Sequence, residues 1–160
     1  MQYSTKKLAY FILFLSIALS IWLLEEFIPR PMPWIKFGFS YIVILLGMVY
    51  FGIRWGFALA IMRTFLGSLI MGKLLSSGFI LSFAGTVAAI AAMSLLFPLR
   101  NKLFSLIGIS IAGAFTHIAT QFIVAGLLFY RLDALIWLLP ISSIWTVVSG
   151  TLVGIITEYI

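Results

Sequence analysis

The chain has 160 residues, of which 64% are hydrophobic and only 9% are charged, with a formal net charge of +6. Soluble domains contain about half apolar and about a quarter charged residues, and a chain of this size has too little interior to hide so much apolar surface from water. The composition therefore excludes a soluble globular domain and predicts an all-α integral membrane protein.

The residue inventory excludes several kinds of site. Cysteine is absent, so disulfide scaffolds and thiolate metal sites are excluded. With one histidine and four acidic residues, we predict no metal site, no cofactor and no catalytic centre. The sequence has no P-loop ending in Gly-Lys-Ser/Thr, and its basic residues stand singly between apolar runs, which argues against a nucleic-acid partner.

Charged residues, glycines and prolines divide the chain into six predicted transmembrane helices that form a single domain over residues 1–160. A bilayer requires roughly 20 apolar residues of helix. Pro29, Pro31 and Pro33 break the chain after the first helix. The predicted helices cover about 7–28, 37–53, 56–72, 76–98, 103–130 and 134–159.

The basic residues predict the orientation. Lys6 and Lys7 precede the first helix and favour a cytoplasmic N-terminus, and six spans then place the C-terminus inside as well. Every outer loop nevertheless carries a cation, which favours an outward-facing site for an anionic solute or, alternatively, snorkelling to lipid phosphates. These outer cations are Arg30, Lys36, Lys73 and Arg131.

Arg63 is a charged residue near the middle of the predicted third helix. An arginine at that depth costs on the order of 2.5 to 3.5 kcal/mol on insertion scales, so it should face the bundle interior, a water-filled cavity or a partner. We predict that Arg63 binds a ligand, and a structural cation that bonds carbonyls and hydroxyls is the alternative.

The predicted fifth helix carries a polar stripe, because Gly113, His117, Gln121 and Ala125 recur at every fourth position. His117 and Gln121 are expected to bind the polar part of a substrate, or else to form interhelical hydrogen bonds. In combination with Arg63, the substrate pocket is the favoured interpretation.

Two further groups of residues are expected near the outer surface. Glu25 ends the first helix and is expected to neutralise or orient Arg63 or Lys36. Trp34 is a candidate for stacking on a ring or an isoprenoid chain. An aromatic belt at the membrane interface is the alternative for Trp34, as for Trp22 and Trp137.

Small residues at four-residue spacing mark close helix contacts. Ser16 and Ser20 lie on the first helix, and Gly150 and Gly154 lie on the sixth. Most of these positions predict packing inside the bundle. The pair on the first helix could instead form a docking surface for another membrane protein.

The sequence resembles the Gx transporter family, also labelled heptaprenyl diphosphate synthase component I, which is related to the S-components of energy-coupling factor (ECF) transporters. The resemblance covers nearly the whole chain. It depends on the order and spacing of several short segments and includes Arg63, His117 and Gln121. The segments are Leu24-Glu25, Phe27-Ile28-Pro29, Lys36-Phe37-Gly38-Phe39, Ser82-Phe83-Ala84-Gly85, Ile107-Gly108-Ile109-Ser110 and Gly113-Ala114. Two positions depart from the family pattern, since Tyr41 and Ile118 stand where relatives tend to have asparagine.

The resemblance implies a six-helix substrate-binding subunit that captures a small molecule near the outer surface of a bacterial cell membrane. It also implies a transmembrane coupling protein and two cytoplasmic ATPases as partners, with Ser16 and Ser20 at the docking face. Arg63, Lys36 and Arg30 would attract an anionic vitamin-like, flavin-related or isoprenoid solute. The alternatives are an accessory subunit of an isoprenoid, quinone or extracellular electron-transfer system, and a stand-alone permease or flippase.

Overall fold

The computed structural model describes residues 2–29, 37–129 and 132–160. Its secondary structure consists of six α-helices, with one 3-10 turn at Phe97–Leu99. The helices are α1 (Gln2–Phe27), α2 (Ser40–Phe51), α3 (Ile53–Ile70), α4 (Ser77–Leu96), α5 (Leu106–Phe129) and α6 (Leu132–Tyr159). Within the described ranges, five of them are long and apolar enough to cross a membrane. The prediction of an all-α membrane bundle of six helices is confirmed.

The second helix is shorter than predicted. We expected it over 37–53, but α2 has 12 residues and is therefore about 18 Å long, well below the roughly 30 Å of a bilayer core. Two glycines in the left-handed region limit it, since Gly38 has φ +75° and Gly52 has φ +95°. A left-handed backbone conformation costs little free energy only for glycine, so α2 begins after Gly38 and ends at Gly52.

The glycines of α6 allow very close packing against α5. A Cβ atom on Gly150 would lie 2.8 Å from the Cα of Ile111, and one on Gly154 would lie 2.4 Å from the Cα of Ile107. Backbone atoms cannot yield to such an approach, so these positions must be glycine if the two helices are to stay in contact. The predicted packing role of this pair is confirmed.

The apolar core lies towards the end of the bundle at which α2 joins α3 and α4 joins α5. Ile44, Leu45, Met48 and Leu59 are completely buried there. The core continues across the other helices through Ala60, Ile90, Met93, Ile109 and Val153. A cavity lies in the opposite half of the bundle, where α1 and α5 end and α2 and α6 begin.

Candidate functional site

A cavity lies in the interior of the bundle, and all six helices contribute to its wall. Its volume is about 70 Å³. Glu25 lines it near the end of α1, and Ser110 and Val153 line it at greater depth. The cavity therefore extends from one end of the bundle towards the apolar core.

Four of the predicted site residues come together around this cavity, although they lie far apart in the sequence. Glu25, Arg63, His117 and Gln121 all line it. They reach it from α1, α3 and α5. The predicted mouth residues Arg30, Trp34 and Lys36 lie outside the described residues.

Arg63 is held by polar and aromatic neighbours and is only 2% exposed. Its Nη1 donates to Ser40 Oγ at 2.5 Å, and its Nη2 donates to Thr64 Oγ1 at 3.3 Å. The guanidinium carbon lies 4.6 Å from the centre of the Tyr41 ring. Hydrogen bonds and a cation–π contact offset part of the cost of burying the charge. The expectation that Arg63 faces the bundle interior is confirmed.

Glu25 fixes the chain segment that leads into α2. It is 3% exposed, and its Oε1 accepts a hydrogen bond from the backbone N–H of Phe39. This bond ties the residue before α2 to the end of α1, and it brings the start of α2, with Ser40, against Arg63. Glu25 therefore contributes both a charge and a structural constraint to the cavity wall.

His117 and Gln121 lie one turn apart on α5 and share one side of the cavity. The His117 ring meets the Tyr41 ring edge to face, with centroids 6.1 Å apart. Gly85 of α4 lies directly against this part of α5, because a Cβ on Gly85 would lie 3.0 Å from the His117 carbonyl oxygen and 3.1 Å from Gln121 Cγ. Glycine at this position therefore allows α4 to pack closely against the turn of α5 that carries both polar residues.

Tyr41 contacts two of the predicted site residues. Its ring lies against the Arg63 guanidinium on one side and meets the His117 ring on the other. The Tyr41 ring therefore bridges the cation of α3 and the histidine of α5.

Several polar atoms in the wall have no hydrogen-bond partner among the described residues. They are Tyr41 Oη, Arg63 Nε, Gln121 Oε1 and Ser142 Oγ, on α2, α3, α5 and α6 respectively. Buried polar groups in proteins are nearly always hydrogen-bonded, and leaving one unpaired costs about 1–3 kcal/mol. The four residues all line one cavity, which favours a site for polar ligand groups or water.

The hydroxyl groups of α6 were missed by the sequence analysis. Ser142, Thr146 and Ser149 all line the cavity and are all buried. Their spacing of four and then three residues places them on one helix face. That periodicity was visible in the sequence, but serine and threonine are so common in membrane helices that the pattern alone does not indicate a site.

Trp22 lies inside the bundle and not at the membrane interface, where an aromatic belt would place it. Its side chain is only 5% exposed and lines the cavity. It packs on Gly67, where a Cβ would lie 2.6 Å from the indole ring. The missing side chain of Gly67 makes room for an indole inside the bundle, so Trp22 belongs to the site and not to the lipid interface.

One of the predicted outer cations is engaged in an ion pair. Lys73 Nζ lies 3.1 Å from Glu26 Oε2, which links the turn after α3 to the end of α1. The lysine is half exposed, and such pairs contribute little stability. The pairing nevertheless offsets the Lys73 charge, so it weakens the expectation that this lysine attracts an anion.

Ser16 and Ser20 are exposed on the surface of α1. Ser16 Oγ donates to the Ile12 carbonyl oxygen at 2.8 Å, which satisfies the hydroxyl within its own helix. A partner helix could approach this surface, and the docking role of the two serines stays a prediction.

Comparison with known proteins identifies the family. The family model described as heptaprenyl diphosphate synthase component I matches residues 14–160. The chain belongs to this family. Neither a curated protein nor a solved structure matches the chain. With five long apolar helices in its described part, this family member is a multi-pass membrane protein.

Proposed function

We propose that this family member binds a small, anionic and partly apolar solute in the cavity of the bundle. The observation that carries the proposal is a buried Arg63 that lines the cavity and whose Nε has no partner among the described residues. A buried guanidinium is well suited to a carboxylate or a phosphate. Aromatic residues of the same wall, including Phe37 and Trp145 with ring centroids 5.2 Å apart, suit an apolar ring or chain.

The proposed role is that of a substrate-binding S-component of an ECF-type uptake transporter in a bacterial cell membrane. The solute would be vitamin-like, flavin-related or isoprenoid-related. The subunit would work with a transmembrane coupling protein and two cytoplasmic ATPases, and would itself be no enzyme. We further propose that both termini are cytoplasmic and that the cavity end faces outwards, because Lys6 and Lys7 begin the first span.

The family description supports a second candidate function, a membrane accessory subunit of an isoprenoid synthase. Such a subunit would place a prenyl substrate or product near the bilayer. Catalysis in it would belong to a partner, because diphosphate and magnesium are held by several carboxylates and the sequence contains one aspartate, Asp133. The proteins that bind to the chain in its native membrane distinguish the two candidate functions.

The experiment is the gentle purification of the tagged full-length chain from its native membranes, followed by identification of the proteins that accompany it. The proposed function predicts a transmembrane coupling protein together with two ATPases. Recovery of a prenyl synthase without those ATPases would overturn the transporter role and support the accessory role.

A further inference from the structure

A second recess lies at the end of the bundle where α2 joins α3 and α4 joins α5, in the half opposite to the cavity. It is a shallow, open groove between the α2–α3 turn and the 3-10 turn that follows α4. Its wall consists of Phe51, Gly52, Ile53, Arg54, Trp55 and Phe97. The described lining of the cavity around Arg63 shares no residue with this groove, so an occupant of the groove is independent of the proposed function.

Aromatic rings form most of the apolar wall of the groove. Phe51 and Trp55 stack with their ring centroids 4.3 Å apart, and Phe11 of α1 meets Trp55 edge to face at 5.3 Å. Tyr50 precedes Phe51 in the chain and is 60% exposed. The membrane-spanning length of α3 begins at Ile53, and tryptophan and tyrosine are enriched at the level of the lipid headgroups. The groove therefore lies where headgroups join their acyl chains.

Two arginines adjoin Phe97 at this groove. Arg54 lines the groove together with Phe97, and the guanidinium carbon of Arg100 lies 5.4 Å from the centre of the Phe97 ring. Neither guanidinium forms a hydrogen bond or an ion pair within the described part of the chain, whereas Lys73 at the other end pairs with Glu26. Cations without an acidic partner beside an aromatic groove favour an anionic occupant.

The other charged side chains at this end add to the positive charge. Lys6 and Lys7 lie near the start of α1, and Lys102 lies in the α4–α5 turn. Glu158, near the end of α6, is the one acidic residue that the described ranges place at this end. Basic residues at the ends of membrane helices attract anionic lipids, so the charge of this end complements an anionic bilayer surface.

The turn that carries Arg100 is held by its own backbone. The Asn101 N–H donates to the Phe104 carbonyl oxygen at 3.0 Å, and the Leu103 N–H donates to the Leu99 carbonyl oxygen at 3.0 Å. Asn101 has φ +67°, a left-handed conformation in which asparagine is enriched. A fixed turn lowers the entropy that Arg100 would lose on binding an anion.

We propose that the groove binds the headgroup of an anionic phospholipid from the surrounding bilayer. Arg54 donates hydrogen bonds to the phosphate, and Arg100 adds a second positive charge at the Phe97 side. A guanidinium can bond two phosphate oxygens at once, and basic recesses between membrane helices bind phosphate headgroups. The rings of Phe51 and Trp55 contact the start of the acyl chains. A free phosphate would gain nothing from these rings, which is why a lipid is the favoured source of the anion.

The test is native mass spectrometry of the delipidated full-length chain in detergent. The protein is incubated with an equimolar mixture of phosphatidylglycerol and phosphatidylcholine that have identical acyl chains. We expect retained phosphatidylglycerol to exceed phosphatidylcholine about fivefold or more, since one cation near a membrane surface has an effect of that order. Arg54→Gln should remove most of this preference, and Arg100→Gln should reduce it. The mass of a phospholipid distinguishes this adduct from a solute in the cavity.

Lys102→Gln is the matched control. It removes the same charge from the turn that carries Arg100, but Lys102 is exposed and is not part of the groove wall, so the preference should survive. Both arginine variants should fold, because neither guanidinium bonds to the described part of the chain, and thermal unfolding verifies this. If Arg54→Gln does not fold, Arg100→Gln provides the comparison with Lys102→Gln.

Three results would each overturn this inference. Equal retention of the two lipids would show that the groove does not select an anionic headgroup. Equal losses of preference in Lys102→Gln and in the arginine variants would indicate a general positive field and no specific site. Displacement of phosphatidylglycerol by an equal concentration of glycerol phosphate, which has no acyl chains, would indicate a site for free anions. None of these results bears on the cavity, whose proposed function is tested by the co-purifying proteins.

Discussion

At the scale of single residues, the guanidinium of Arg63 is stabilised mainly by neighbouring hydroxyls and a ring. Ser40 accepts the shortest of its hydrogen bonds, and Thr64 accepts a second one while its own hydroxyl donates to the Ala60 carbonyl. Tyr41 lies beneath the charge. Nε has no hydrogen-bond partner in the described part of the chain, so one side chain is fixed to the protein and still has a donor that no described residue uses.

The substitution Ser40→Ala tests the structural part of this arrangement. It removes the acceptor of Nη1 and leaves a buried charged donor unpaired, so we expect the free energy of unfolding to fall by about 1–3 kcal/mol. Denaturant or thermal unfolding of the purified protein measures the change. Ser94→Ala is the control and should have little effect, since its hydroxyl has no hydrogen-bond partner among the described residues. Equal losses in both variants would contradict the role of Ser40.

The site residues differ in how visible they were in the sequence. Arg63 was predictable because charge at membrane depth is costly, and His117 with Gln121 because they share a helix stripe. Tyr41 and Ser142 were not, since aromatic and hydroxyl residues are ordinary components of membrane helices. Their position in the wall depends on how α2 and α6 pack, which no local pattern specifies.

At the scale of helices, the sequence predicted the number and the order of the helices well, and it overestimated the length of α2. Charges and prolines delimit the helices to within five residues of the observed bounds, because those residues are costly inside a bilayer. The second helix was overestimated because Gly38 and Phe39 are apolar and continue the hydrophobic run. Only the backbone shows that Gly38 is left-handed, so hydropathy alone did not reveal the late start of α2.

The exposed surface of α1 carries the prediction about assembly. Ser16→Leu or Ser20→Leu adds bulk where a partner helix is expected to approach closely, so capture of the coupling protein should fall at least severalfold. Ala91 is an exposed small residue on α4, and Ala91→Leu is the matched control that should leave capture unchanged. Affinity purification with quantification of the coupling protein measures the effect. Undiminished capture in both serine variants would exclude this surface of α1 as the docking face.

At the scale of the whole molecule, the two ends of the bundle differ in how they are packed. The end with the α2–α3 and α4–α5 turns is closed by the apolar core, and the basic residues Arg54, Arg100 and Lys102 lie near these turns. The other end encloses the cavity. A cavity placed towards one end of the bundle is the arrangement expected of a subunit that captures a solute on one side of the membrane.

The proposed orientation is open to a labelling experiment, because the chain has no cysteine of its own. Leu75 lies in the α3–α4 turn and is 83% exposed, whereas Leu103 lies in the α4–α5 turn and is 74% exposed. In intact cells, Leu75→Cys should react with a membrane-impermeant maleimide, and Leu103→Cys should react only after permeabilisation. The reverse pattern would place the cavity end in the cytoplasm and contradict uptake from outside.

The central claim is that the cavity around Arg63 retains a small anionic molecule, and native mass spectrometry of the gently purified protein tests it most directly. We expect wild-type protein and the Ser94→Ala control to carry a small-molecule adduct, and folded Arg63→Gln protein to have lost it. A wild-type protein at its bare mass, or an adduct that remains in Arg63→Gln, would contradict the account.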